Sequence, residues 1–176
     1  RPIEAAVRRG QAVARALKIV SDNDRDQQLS TEERQQIAEI VGIGALKYAD
    51  LSQNRTSDYT FSYDKMLAMN GNTATYMQYS YVRVRGIFRK GNVQIEDLRK
   101  QAPPLQFSAP AERTLALELL RFSEALEEVA TDYRPILLTN YLFELSKKYS
   151  TFFENCPVLK AETEDSRTTR LLLCDL

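Results

Sequence analysis

The sequence predicts an all-α protein, a helical bundle. Three observations predict it. Apolar residues recur at three- and four-residue spacing through most of the longer stretches. Cap signals stand at the boundaries, as in Ser30-Thr31-Glu32-Glu33 and Lys90-Gly91. Breaker clusters such as Asn70-Gly71-Asn72 and Ala102-Pro103-Pro104-Leu105 separate the patterns.

In chain order, Ile3, Val7, Val13, Leu17 and Val20 line the face of a first helix, diluted by Arg1, Arg8, Arg9, Arg15 and Lys18. Ser30 caps a second helix, with Glu33 reaching back, and the pattern runs to about Ser52. Its apolar residues, from Ile37 and Ile40 to Leu51, occupy more than one face, so burial on two sides is expected. Tyr59, Phe61 and Tyr63 alternate before the chain turns helical. The next helix is predicted over 71–90 and ends at a cation followed by glycine. Residues 93–100 make two turns. Ser108 is the expected cap of one long helix over 111–131, with Leu115, Leu119, Phe122, Leu126 and Val129 inward and its acids outward. A further helix over 136–153 carries Leu137, Tyr141, Leu145, Tyr149 and Phe152, and a last one covers 168–176.

Composition limits the functions available. A chain of 176 residues holds one good core, or one domain and part of another, and is short for a multidomain enzyme. There is no histidine, which excludes histidine-based triads and the usual catalytic zinc sites. The two cysteines, Cys156 and Cys174, form no metal-spacing motif, and no signal-like stretch or membrane-length apolar run is present. The expectation is a reduced, cytoplasmic protein with no membrane association. Net charge is zero, yet no acid occurs between Lys65 and Lys90, where Arg83, Arg85, Arg89 and Lys90 lie. Such a local basic face can bind phosphates.

The helix over 71–90 is the most informative element. Wound at ~100° per residue, Met77, Tyr81, Val84 and Phe88 form the expected core stripe. Beside it, Tyr76, Tyr79, Arg83 and Lys90 fall within ~60° of one another, with the small Gly86 added. Rings stack on unpaired bases and cations hold phosphates, so this strip suits single-stranded nucleic acid. The plainer alternative is a solvated face whose tyrosines half-bury against a neighbour. A helical protein-interaction module, using the Tyr76 face as a groove for a partner helix, is a second alternative. The loop over 22–33 mimics a calcium loop, with carboxylates at positions 1, 3, 5 and 12. Gln27 replaces its glycine, and the capping box already accounts for Glu33, so it reads as an acidic connector.

The run Val41-Gly42-Ile43-Gly44-Ala45-Leu46-Lys47-Tyr48-Ala49-Asp50-Leu51, then Asn54-Arg55, Phe61, Met66-Leu67 and Gly71-Asn72-Thr73 leading into Tyr76-Met77-Gln78-Tyr79 with Arg83, strongly resembles arginyl-tRNA synthetases. Tyr141-Leu142-Phe143-Glu144-Leu145, Phe152-Phe153-Glu154-Asn155-Cys156 and Arg170-Leu171-Leu172-Leu173 extend the likeness from about Leu29 to the end.

The resemblance implies a helical bundle of the class I synthetase anticodon-binding type over 58–176, expected to be truncated at its C-terminal end. A helical segment over 1–57 would join it to an absent catalytic domain. It further implies that Tyr76, Tyr79, Arg83, Gln78 and Lys90 contact the tRNA anticodon. Asp50, Arg55 and Arg85 are carried over as either tRNA contacts or structural charges. The implied parent is a monomeric arginine-tRNA ligase that charges tRNA-Arg with arginine using ATP and Mg. No catalytic residue, metal or cofactor is expected within these 176 residues, which alone should be inactive. The sequence departs from the family pattern at Thr75, where many members have proline, and at Ser80-Tyr81-Val82.

Overall fold

The computed structural model describes residues 2–101 and 103–176, with side chains from Glu4 onward; Arg1, Ala102 and the side chains of Pro2 and Ile3 lie outside the described residues. In chain order the helices are α1 (Pro2–Asn23), α2 (Thr31–Leu51), α3 (Tyr63–Met66), α4 (Ala74–Gly91), α5 (Ile95–Gln101), α6 (Pro110–Leu120), α7 (Phe122–Asp132), α8 (Pro135–Asn155) and α9 (Glu164–Asp175). No strand occurs among the described residues, and no helix is long and apolar enough to cross a membrane. The chain divides into two compact units. The first takes in residues up to Met77 together with Arg134–Thr139, and the second comprises Gln78–Tyr133 and Asn140–Leu176.

In the first unit, α1 and α2 meet through small residues. Ala12 and Ala16 are buried against Ala38, Ala45 and Gly42. A Cβ added to Gly42 would lie 2.8 Å from the Ala12 carbonyl oxygen and 2.9 Å from Val13 Cα, so the backbones touch where only glycine fits. The expected two-sided burial of α2 is not found. Ile40 and Leu51 are exposed, as is Val7 on α1, because the small-residue stripe brings the helices together along one narrow line. The predicted capping box is present, with the Glu33 amide donating to Ser30 Oγ at 3.1 Å and the Ser30 amide to Glu33 Oε2 at 2.8 Å. In the preceding loop Asp24 is paired with Arg34 of α2. Arg34 Nη2 lies 2.8 Å from Asp24 Oδ2, and the amides of Gln28 and Leu29 donate to the same carboxylate. Gln27 adopts φ 49°, the left-handed conformation a glycine would take without strain.

In the second unit the core gathers Ile87 from α4, Leu115 from α6, Tyr149 and Phe152 from α8, and Leu171 and Leu173 from α9. The stripe predicted for α8 is as expected, with Tyr141, Tyr149 and Phe152 buried. The predicted helix over 111–131 is broken at Arg121 into α6 and α7. Ser108 is not its cap: the N-cap is Ala109, Pro110 opens the helix, and Glu112 Oε2 accepts from the amides of Ser108 (2.7 Å) and Ala109 (3.0 Å). Nor do all its acids face water. Glu112 and Glu118 are buried, each met by a cation from a distant element. Arg170 Nε on α9 donates to Glu112 Oε1 at 2.6 Å, and Lys148 on α8 donates to Glu118. A polar face read from periodicity cannot anticipate partners supplied by other helices. Both cysteines are free and buried, and burial pushes the Cys174 thiol up to about 12.

Candidate nucleic-acid interface

Helix α4 begins where the sequence supplies a turn and a cap. Gly71 takes φ +77°, and Thr73 Oγ1 accepts the Tyr76 amide at 3.3 Å while donating to the Ala68 carbonyl at 2.8 Å. Thr75 sits in the first turn, where proline would also be accommodated. Its hydroxyl instead donates to the same Ala68 carbonyl, at 2.5 Å. At the other end Asn92, with φ 48°, is the left-handed residue rather than Gly91. The amides of Asn92 and Val93 return to the carbonyls of Arg89 (3.4 Å) and Phe88 (3.2 Å), a Schellman ending. Gly91 instead lies against Leu159, whose Cδ2 would stand 2.6 Å from an added Cβ and would have to shift.

The buried line of α4 is turned by roughly 80° from the predicted one. It runs through Ser80 and Ile87, while Tyr81, expected in the core, is 63% exposed. Met77, Val84 and Phe88 are half-buried. Small Ser80 and branched Ile87 permit close packing, whereas a tyrosine with a polar tip is satisfied in water. The turn carries the tyrosine strip partly onto the protein: Tyr76 and Arg83 are half-buried, and Tyr79 is 47% exposed.

Within the second unit, the Arg83 guanidinium carbon lies 3.8 Å from the ring centroid of Phe153 on α8 and 5.4 Å from that of Tyr79. The Phe153 ring is half-buried and the Tyr79 ring exposed, so among the described residues the cation is held by ring faces rather than by a carboxylate. Its hydrogen-bond donors are therefore not consumed by an ion pair. Such a group can offer a planar fork to a base edge or a phosphate, with an exposed ring beside it for stacking. Of the other predicted residues, Gln78 is half-buried and Lys90 exposed. Arg85 projects from the far side of the helix, about 160° from Arg83 in projection, so it does not join the strip.

In the first unit Asp50 has a structural partner, since the Tyr59 hydroxyl donates to its Oδ1 at 2.6 Å. That hydrogen bond, with burial, raises the Tyr59 pKa. Arg55 is exposed. Sequence reasoning missed Phe153 and Tyr59 as partners. Phe153 carries only a weak signal, an aromatic four residues after Tyr149 on one helix face.

Comparison with known proteins agrees with this architecture. The family model for the DALR anticodon binding domain matches residues 77–176, and that for the catalytic domain of tRNA synthetases class I (R) matches residues 7–63. The chain is 51% identical over 165 residues to an arginine–tRNA ligase of Rippkaea orientalis, covering 90% of this chain and 28% of that protein. It is 52% identical over 161 residues to the corresponding ligase of Trichodesmium erythraeum, covering 88% and 27%. The crystal structure of arginyl-tRNA synthetase from Plasmodium falciparum aligns with TM-score 0.82 at 32% identity, over 94% of this chain and 29% of that one. The Thermus thermophilus enzyme aligns with TM-score 0.80 at 27% identity, over 97% and 28%. The chain thus spans little more than a quarter of the relatives it matches.

Fold and matches together define an all-α part of a class I aminoacyl-tRNA synthetase, in which a stretch matching the catalytic-domain family precedes an anticodon-binding domain. The chain belongs to the DALR anticodon binding domain family, in the form carried by arginyl-tRNA synthetases.

Proposed function

We propose that this chain reads the anticodon arm of an arginine tRNA on behalf of a class I arginyl-tRNA synthetase. The observation that carries the reading is the Tyr79–Arg83–Phe153 stack, which lies within the matched anticodon-binding residues. In this reading the Tyr79 ring stacks on a splayed base, and the Arg83 guanidinium holds a base edge or phosphate. Gln78 and Lys90 supply further polar contacts, and Tyr76, within the first unit, adds a second ring. Asp50 is assigned to structure through Tyr59, and Arg55 to either role.

The proposal extends to the parent enzyme, a cytoplasmic monomer that charges tRNA-Arg with arginine using ATP and magnesium. No residue of this chain is assigned a part in that chemistry. The bundle over 58–176 is its anticodon reader, and residues 1–57 lead into it. The test is titration of the chain with an arginine-tRNA anticodon stem-loop at several salt concentrations. Micromolar or tighter binding that weakens steeply with salt is expected. Absence of binding at low salt would contradict the reading and leave the helix face to a protein partner.

A further inference from the structure

A second cationic feature lies in the second unit, around α4 from the ring stack. A groove of about 550 Å³ runs beside the last turns of the helix, and its polar lining is Arg85, Arg89, Asn92 and Gln94. Many cations of this unit are paired with acids. Arg99 pairs with Asp175, Arg121 with Glu124, Lys147 with Glu144, Lys148 with Glu118, Arg167 with Glu164 and Arg170 with Glu112. Arg85 and Arg89, like Arg83, Lys90, Arg113 and Lys160, make no ion pair among the described residues. No acid lies in the sequence from Lys65 to Ile95, and the first one after it, Glu96, interacts with Arg99. The two arginines are one turn apart, roughly 6 Å, on one helix face. Two unneutralised guanidinium groups in a concave surface form a binding site for paired anions. The Schellman ending matters here, because it satisfies the Arg89 and Phe88 carbonyls that would otherwise repel an anion at the helix terminus.

We propose that this groove holds successive backbone phosphates of the RNA whose bases the Tyr79 face reads, as a sequence-independent second subsite. The proposal rests on the anticodon reading above. It separates two tasks on one helix: the ring stack selects bases, and the opposite flank holds the strand by charge alone. Asn92 and Gln94 supply neutral amide donors at the end of the groove.

The experiment is salt-dependent binding of the anticodon stem-loop to the 176-residue chain and to Arg85→Gln/Arg89→Gln, Arg85→Lys/Arg89→Lys and Tyr79→Ala variants. Circular dichroism checks the fold of each. Losing two phosphate contacts should lower the slope of log affinity against log salt by about 1.4, at roughly 0.7 per single-stranded phosphate. Discrimination at the central anticodon base should stay unchanged, and the double lysine variant should keep the wild-type slope. A glutamine variant with the wild-type slope overturns the groove assignment, even where Tyr79→Ala weakens binding and the anticodon reading survives. So does lost base discrimination in the glutamine variant, or failure of lysine to restore the slope. If the wild-type chain binds no stem-loop, the anticodon reading falls, and this proposal with it.

Discussion

The Arg83 guanidinium carbon sits 3.8 Å from the centre of the Phe153 ring, the closest cation–ring approach among the described residues. Such a contact is worth about 0.5–2 kcal/mol, rising as the cation loses water. It fixes a long, flexible side chain from α4 against α8 before any ligand arrives, which lowers the ordering cost of binding. Phe153→Leu keeps an apolar side chain but removes the ring face. RNA binding should weaken about threefold to tenfold, with no further loss when the change is added to Arg83→Gln. Phe153→Tyr should restore most of the affinity. Additive losses in the double variant would show that Phe153 acts apart from Arg83.

Two glycines in helices should respond oppositely to alanine. Away from other constraints, Gly→Ala in a helix stabilises by about 0.8–1 kcal/mol. Gly86 has open space around its Cβ position, so Gly86→Ala should raise the melting temperature. At Gly42 the added carbon meets the Ala12 and Val13 backbone, and moving α1 should outweigh the helix gain, with a net loss of about 2 kcal/mol. Thermal unfolding followed by circular dichroism measures both, and a stabilising Gly42→Ala would contradict the close α1–α2 contact.

The buried Arg170–Glu112 pair makes stability depend on acid. Burial alone would raise the Glu112 pKa, but Arg170 and the amides of Ala109 and Ser108 outweigh it, and the net shift is downward. A carboxylate depressed on folding contributes stability above its unfolded pKa and loses it as pH falls through the folded one. Glu112→Gln leaves a buried guanidinium with only the exposed Glu162, 3.3 Å from its Nη2, as counter-charge, at a cost of about 3 kcal/mol near neutral pH. Denaturant melts of the two proteins should converge as pH drops below about 4. A gap that persists undiminished well below that pH would show that the pair's charge is not what stabilises the α6–α9 contact.

Much of this architecture was legible before any coordinates, and the failures have a common cause. The α8 stripe of Tyr141, Tyr149 and Phe152 and the Ser30–Glu33 box follow from spacing within one segment. The partners of Glu112, Glu118 and Arg83 lie far along the chain, so their burial or ring contacts could not be read locally. The buried line of α4 departs from its apolar periodicity because packing distance favours small Ser80 over Tyr81. In α2, hydrophobicity suggested two buried faces, but Gly42 and the alanines decided the contact by size. The tyrosine strip is legible in the sequence because its rings and cations share a helix face; the ring contact that holds Arg83 is not, because Phe153 belongs to another helix.

The central claim is that Tyr79 is a base-stacking residue and not merely a half-exposed ring. The most direct measurement is the affinity of Tyr79→Ala for the arginine-tRNA anticodon stem-loop, beside Met77→Leu as a volume-conserving control on a half-buried neighbour. Stacking contributes about 1–3 kcal/mol per base, so Tyr79→Ala should bind roughly tenfold more weakly or worse. Its circular dichroism should be unchanged, and Met77→Leu should bind as the parent does. A normally folded Tyr79→Ala with parental affinity would mean that the strip is an ordinary packed helix face and that the base-reading assignment is wrong.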